Sequence, residues 1–147
     1  MDNPEERTFH CDLIDPTGKL LDCSTASVVL PAHDGLIGIL YNHLPMLYQL
    51  GLGIMRVSTG PAEGAAEPQQ EEMSFFVDGG FALVASNSVM VVAYEALALR
   101  NVRPGKIESM AERAARNASD PTLSAGQRVH ESERLRVLRR LAASAKP

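Results

Sequence analysis

The sequence predicts a β-plus-α protein: a body of short antiparallel strands closed as a sandwich or barrel, followed by two amphipathic helices. Three observations predict it. Between Phe9 and Ala93, apolar runs of strand length alternate with turn-forming clusters. From about Pro104 the apolar spacing becomes that of one helix face. The charge changes sign at the same place: Met1 to Leu99 carries 3 Lys+Arg against 13 Asp+Glu, and Arg100 to Pro147 carries 11 against 5. An acidic body is therefore joined to a basic tail, a pattern that points to an acidic partner for the tail.

The elements follow in order. Phe9, Cys11 and Leu13 alternate with His10, Asp12 and Ile14, a strand period. Asp15-Pro16-Thr17-Gly18 has the residues a type I turn favours, and Lys19 to Cys23 returns as the paired strand. Ser24 to Leu30, rich in β-branched residues, predicts a third strand. In Leu30 to Leu50, Pro31, Gly35, Gly38 and Pro45 oppose a helix. This stretch predicts a tight glycine turn, a short buried strand and a corner at Asn42 to Pro45. Met46 to Leu50 and Gly53 to Val57 predict further short extended pieces. Ser58 to Glu72, with Gly60, Pro61, Gly64 and Pro68 among Ala, Glu and Gln, predicts a mobile hairpin loop. Ser74 to Val77, a turn at Asp78-Gly79-Gly80, Phe81 to Ala85, a turn at Ser86-Asn87-Ser88, and Val89 to Ala93 complete the strands.

In the tail, Ile107, Met110, Ala111, Ala114, Ala115 and Ala118 share one helix face. Asn117 to Pro121 breaks that helix. Ser124 and Gln127 form a capping box for a second helix over about 125–145. There Leu135, Leu138, Leu141, Ala142 and Ala145 line one face, and Arg128, Arg136, Arg139 and Arg140 gather on the other.

Two stretches carry a family resemblance. The run Asp34-Gly35-Leu36-Ile37-Gly38-Ile39-Leu40-Tyr41-Asn42-His43-Leu44-Pro45-Met46-Leu47 resembles the signature of the epsilon subunit of F-type ATP synthases. The glycine spacing, His43, Pro45 and Leu47 match. Tyr41-Asn42 replaces the usual Pro-Gly, and Leu36 stands where an acidic residue is common. Phe76-Val77-Asp78-Gly79-Gly80-Phe81-Ala82-Leu83-Val84, followed by Val89 to Ala93, is similar to that subunit's Ser-Gly-Gly hairpin and closing strand. The resemblance implies an N-terminal antiparallel β-sandwich, residues 1–99 with the loop 58–72, followed by a C-terminal antiparallel two-helix hairpin, residues 100–147.

It also implies a function: a non-catalytic central-stalk subunit of a proton-translocating F-type ATP synthase, at the cytoplasmic face of the inner membrane. Its partners would be the gamma subunit and the membrane rotor ring of c subunits, contacted through Asp34, Gly35, Leu36, Ile37, Gly38 and His43. The tail would regulate ATP hydrolysis, with Arg128, Arg136, Arg139 and Arg140 against acidic segments of the catalytic beta subunit. Guanidinium groups suit that role because they grip carboxylates two-pronged and stay charged. For His43, a corner histidine bonded to nearby backbone is the plainer reading. Some family members bind ATP through Ile-Asp-x-x-Arg-Ala. Here Ile107-Glu108 keeps the first two features, but Arg113 is out of register, so a regulatory nucleotide is not expected. No cofactor is expected.

Other classes fare worse. P-loop, nucleophile-elbow and H-E-x-x-H motifs are absent from the sequence, and Glu95, beside Tyr94, reads as a strand end. Cys11 and Cys23 lack C-x-x-C spacing and are expected as buried free thiols. A metal site drawn from Cys11, Cys23, His10, His33 and His43 lacks paired ligand spacing. A cupin-like metal enzyme would need clustered histidines, whereas His10, His33, His43 and His130 are scattered. A nucleic-acid binder could use the basic helices, but the acidic body would repel phosphate and aromatics are only 5% with no Trp. The polar, acidic N-terminus does not read as a signal peptide, and no apolar stretch approaches the roughly 20 residues of a membrane span, so a soluble chain without direct membrane insertion is expected.

Overall fold

The computed structural model describes residues 7–59 and 71–144. The chain divides into two compact units, Met1–Arg100 and Asn101–Pro147. The described residues of the first form eight strands: β1 (Phe9–Asp15), β2 (Gly18–Thr25), β3 (Ser27–Ala32), β4 (Gly35–Leu40), β5 (Met46–Ser58), β6 (Glu72–Ala85), β7 (Ser88–Ala93) and β8 (Ala96–Ala98). They form one sheet in the order β2-β1-β7-β6-β5-β3-β4, with β8 on β6. All pairings are antiparallel except β1 with β7.

The sheet closes its apolar side over one core. Leu13, Leu30, Ile39, Met55, Val77 and Val91 come from six different strands, and all are buried in that cluster. Fully burying such a side chain is worth about 1.5–3 kcal/mol. The fold is thus the β-sandwich expected, although several boundaries differ.

The largest difference lies at Asp78-Gly79-Gly80. No hairpin forms there. β6 runs through it as one 14-residue strand. Both glycines take positive φ, 73° and 126°, as a turn would require, but the backbone stays in the ladder. Asp78 N–H donates to Glu95 O (2.9 Å), and Tyr94 N–H donates to Gly79 O (3.1 Å). The glycines instead mark where β6 exchanges one partner for another: Gly80 to Ala85 pairs with β7, and Phe75 to Val77 with β8. β8 itself had no strong sequence signal.

Gly51 and Gly53 likewise do not divide β5, a single 13-residue strand paired with β6 along its length. A side chain on Gly53 would lie 2.8 Å from Pro31 Cβ, so the glycine admits β3. The register of β3 on β5 shifts between Val29 and Ala32, around Pro31, which has no N–H to give. The expected third strand starts at Ser27, because Ser24 and Thr25 complete β2. The loop 58–72 is shorter than expected. Ser58 pairs with Glu72, and Thr59 N–H donates to Glu71 O at 2.9 Å; residues 60–70 of that loop lie outside the described residues.

Two turns form as read. Asp15 and Gly18 close the first hairpin, where Asp15 Oδ1 accepts from the Thr17 N–H at 2.8 Å and from its hydroxyl. Ser86 and Asn87 both have positive φ (51° and 54°) between paired Ala85 and Ser88, the geometry of a type I′ turn.

The second unit holds α1 (Lys106–Ala118) and α2 (Ala125–Ser144), which pack on each other. Ile107, Ala111, Ala114 and Leu138 are buried, and Leu135, Leu141 and Ala142 are half-buried; Ala145 lies outside the described residues. The capping box is present in both directions. Gln127 N–H donates to Ser124 Oγ at 3.1 Å, and Ser124 N–H donates to Gln127 Oε1 at 2.9 Å. Replacing a serine cap by alanine costs about 1 kcal/mol. Ser124→Ala is therefore expected to destabilise the helical unit by that amount in urea melts followed by helical circular dichroism, with the β unit unchanged.

Candidate functional site

The expected contact loop begins where β3 ends. Ala32 pairs with Gly35, leaving His33 and Asp34 as a two-residue turn. Gly35 has φ 141°, a conformation that glycine adopts without strain. β4 then runs along one border of the sheet. It is not the buried strand expected. Only Ile39 is buried, Ile37 is half-buried, and Asp34, Gly35 and Gly38 are exposed. Leu36 is 69% exposed and Leu40 64%. As an edge strand, β4 has a neighbour on one side, and its outward side chains face solvent.

The corner after β4 is fixed by Asn42, which sits at φ 61°. Asn is the non-glycine residue that best tolerates this region. The Asn42 N–H donates to Asn87 Oδ1 (2.8 Å), and Asn87 Nδ2 donates back to Asn42 Oδ1 (3.2 Å). Asn87 O accepts from the His10 N–H at 3.1 Å. The Tyr41-Asn42 replacement in the signature thus keeps the bend and adds a clamp to the β6–β7 turn. Sequence reading missed this pair because the two asparagines are 45 residues apart.

His43 is half-buried. Its Nδ1–H donates to Leu44 O at 2.7 Å, and its ring meets Tyr48 edge-on with centroids 6.3 Å apart. This is the backbone-bonded corner histidine. Tyr48 also lines an open cleft of about 340 Å³ with Ala32, His33, Asp34, Leu47 and Gln49. One tyrosine therefore joins the Asp34 turn to the His43 corner. Sequence reading also missed the exposed apolar groups around them. Leu44 is 77% and Leu47 66% exposed. In register with Leu47 stand Leu83 and then Met90, both exposed.

On α2, Arg136, Arg139 and Arg140 are exposed and form no ion pair among the described residues. Arg128 differs. It is half-buried, eight residues earlier, about 12 Å along the axis. Its charge, after two hydrogen bonds from Thr122, helps hold the Asp120 carboxyl below the usual range. On α1, Ile107 is buried, whereas Glu108 and Arg113 are exposed. Five residues turn a helix by about 140°, so Glu108 and Arg113 do not converge.

The metal candidates are divided between the two faces of β1 and β2, with Cys11 and Cys23 on the core side and His10 on the other. Cys11 is buried and Cys23 half-buried, so the second is more open than expected. His10 instead meets carboxylates, with Nε2 2.9 Å from Asp22 Oδ1 and 3.2 Å from Asp12 Oδ1. These three could present ligand atoms to an ion, but Lys19 Nζ lies 3.3 Å from both carboxylates and supplies the positive charge. Asp12 and Asp22 are directly opposed on β1 and β2, a like-charge pair that destabilises unless neutralised. Burial raises the Asp12 pKa, but hydrogen bonds and charges from His10 and Lys19 outweigh it and hold the group low.

A folded-state pKa below the unfolded one adds stability that is present above the ordinary aspartate value, about 3.9, and is lost as pH falls through the folded one. Thermal melts at about pH 5 and about pH 3 should therefore show a larger loss for the parent than for Asp12→Asn. Equal losses would remove Asp12 as an acid-sensitive point.

Residues 8–99 match the family model for the ATP synthase, Delta/Epsilon chain, beta-sandwich domain. The chain is 36% identical over 110 residues to the chloroplastic ATP synthase epsilon chain of Chlamydomonas reinhardtii, covering 75% of this chain and 76% of that one. It is 30% identical to the ATP synthase epsilon chain of Latilactobacillus sakei, covering 90% and 83%. Among solved structures it resembles a chain of the Euglena gracilis mitochondrial ATP synthase, OSCP/F1/c-ring in rotational state 1. That likeness has a TM-score of 0.68 at 22% identity and covers 95% of this chain and 82% of the other. The signature turn, the glycine exchange point in β6 and the β-then-α order all lie within these matches, and the chain belongs to the ATP synthase delta/epsilon-chain family.

Proposed function

We propose that this chain is the epsilon subunit of the central stalk of a proton-translocating F-type ATP synthase, linking the gamma subunit to the membrane ring of c subunits. The subunit itself is non-catalytic. It works at the cytoplasmic face of the inner membrane as a peripheral part of the complex; among the described residues no helix is long and apolar enough to cross a membrane. The β unit, residues 1–99, is the docking body, and the helical unit, residues 100–147, regulates hydrolysis against the beta subunit.

The observation that carries the docking role is the exposed, apolar border of the sheet inside the signature. Asp34, Gly35, Leu36, Ile37 and Gly38 form its turn and edge strand, and His43 holds the corner beyond. Leu36 offers a bare apolar side chain where relatives of the signature type carry an acid, so contact with the ring or gamma is hydrophobic at that point. The surrounding sandwich, packed as densely as an organic crystal, gives the stiffness that a torque-bearing part needs.

A pull-down tests this. Immobilised gamma subunit, alone and with the c ring, should retain the full chain and a chain ending at Arg100 about equally. Leu36→Asp should weaken retention on the ring-containing complex about tenfold, the loss of one buried apolar contact replaced by a charge. Failure of the full chain to bind either preparation would overturn the reading.

A further inference from the structure

β2 is the outermost strand beside β1. In their register Cys11 stands directly opposite Cys23. Alternate side chains share a face of a strand, and Cys11 lies between buried Phe9 and Leu13 while Cys23 lies between buried Leu21 and Thr25. The two thiols therefore share the core side at one cross-strand step. Directly opposed antiparallel residues have Cα atoms about 4.5 or 5.5 Å apart. Both values fall within the roughly 4.4–6.8 Å that a disulfide spans. Both cysteines are free, Cys11 buried and Cys23 half-buried at the border of the sheet.

We propose that Cys11 and Cys23 form an oxidisable pair, a modification site in which Cys23 meets a peroxide and Cys11 converts the product into a cross-strand disulfide. In the first step the Cys23 sulfur attacks the peroxide O–O bond. It takes one oxygen to become a sulfenic acid, and with hydrogen peroxide the other oxygen leaves as water. In the second step the Cys11 sulfur attacks the Cys23 sulfur. The S–S bond forms, the S–O bond breaks, and the hydroxyl leaves with the Cys11 proton as water. Two electrons pass from the thiols to the peroxide.

The order of attack follows from access, since Cys11 has none until Cys23 is activated beside it. Burial pushes the Cys11 thiol up to about 12, and burial with the charges of Asp22 and Asp12 raises Cys23 as well. Thiolate is scarce, so the pair responds to sustained peroxide and not to a brief pulse. The consequence is mechanical: the free border strand is stapled to its neighbour.

The test uses the full chain exposed to excess hydrogen peroxide, denatured and cut by trypsin without reductant. Lys19 lies between the cysteines, so tryptic peptides 8–19 and 20–56 carry one each. They are expected to run as one linked species that reductant separates. The oxidised chain should melt about 5–10 °C higher, as closure of a short loop predicts. Cys11→Ser should stop at a Cys23 sulfenic acid that dimedone traps, and Cys23→Ser should leave Cys11 unmodified. Separate peptides with Cys23 over-oxidised, or links formed only between two chains, would overturn the proposal. Neither result bears on gamma-subunit retention.

Discussion

Gly80→Ala is expected to unfold the β unit, the largest stability effect of any single change considered. A Cβ built there would lie 2.1 Å from Val92 O and 2.8 Å from Ala93 Cα, both backbone atoms of the neighbouring strand. Neither can rotate away. The φ of 126° is also one that L side chains rarely adopt. Relief would require separating β6 from β7, which share six paired positions from Gly80↔Ala93 to Ala85↔Ser88. We expect a loss of more than about 4 kcal/mol, a large part of the roughly 5–15 kcal/mol that holds a domain folded. Circular dichroism should show a missing or strongly lowered β transition. Gly126→Ala is the control. It lies in α2 with open space around a new Cβ, so it should be neutral or stabilise by up to about 1 kcal/mol. A Gly80→Ala chain melting like the parent would refute the packing at the point where β6 changes partner.

Neutralising Arg136, Arg139 and Arg140 together to Gln is expected to raise ATP hydrolysis by the assembled synthase about 3- to 150-fold if the tail brakes the enzyme. Each exposed guanidinium–carboxylate pair is worth about 0.2–1 kcal/mol. Three acting on one equilibrium shift it by roughly 0.6–3 kcal/mol, which converts to that range. The three fall on adjacent turns of α2 and are exposed. Arg128 is left out because it is half-buried and its charge acts on Asp120. Gln keeps the length and helix propensity of the side chain, so the hairpin should survive. The measurement is ATPase rate in the complex, with helical circular dichroism as the folding control. Parental ATPase with a folded hairpin would remove these arginines from any regulatory role. High salt should mimic the substitution in the parent and have little further effect on the variant.

Local chemistry made much of the fold legible. The Asp15-Pro16-Thr17-Gly18 turn, the Ser124/Gln127 capping box and the face of Ile107, Ala111 and Ala114 each depend on residues within a few positions of one another. The reach of those interactions is shorter than the window in which a sequence pattern is read. The same holds for the signature between Asp34 and Leu47, whose spacing survives although Tyr41-Asn42 and Leu36 depart from it.

Where the reading failed, the deciding contact came from far along the chain. Gly79-Gly80 has turn chemistry, but Tyr94 and Glu95 hydrogen-bond across it and keep β6 running. Gly51 and Gly53 look like breakers, yet β3 packs where their side chains would be. β4 has the composition of a buried strand but lies at the border, since among the described residues no strand follows it in the sheet order. Of the candidate site, the residues were named from sequence, but their surroundings were not. Leu36 is exposed, Ile37 packs against the core, and His43 is tied to Leu44. The sequence by itself determined that strands precede helices, the N-terminal cap of α2, the charge reversal and the family. Tertiary structure alone decided which glycines bend and which merely admit a neighbour, which strand is the border, and that Cys11 faces Cys23. Propensity and periodicity act over a few residues, whereas sheet order and register are set by pairings between strands that the sequence keeps far apart.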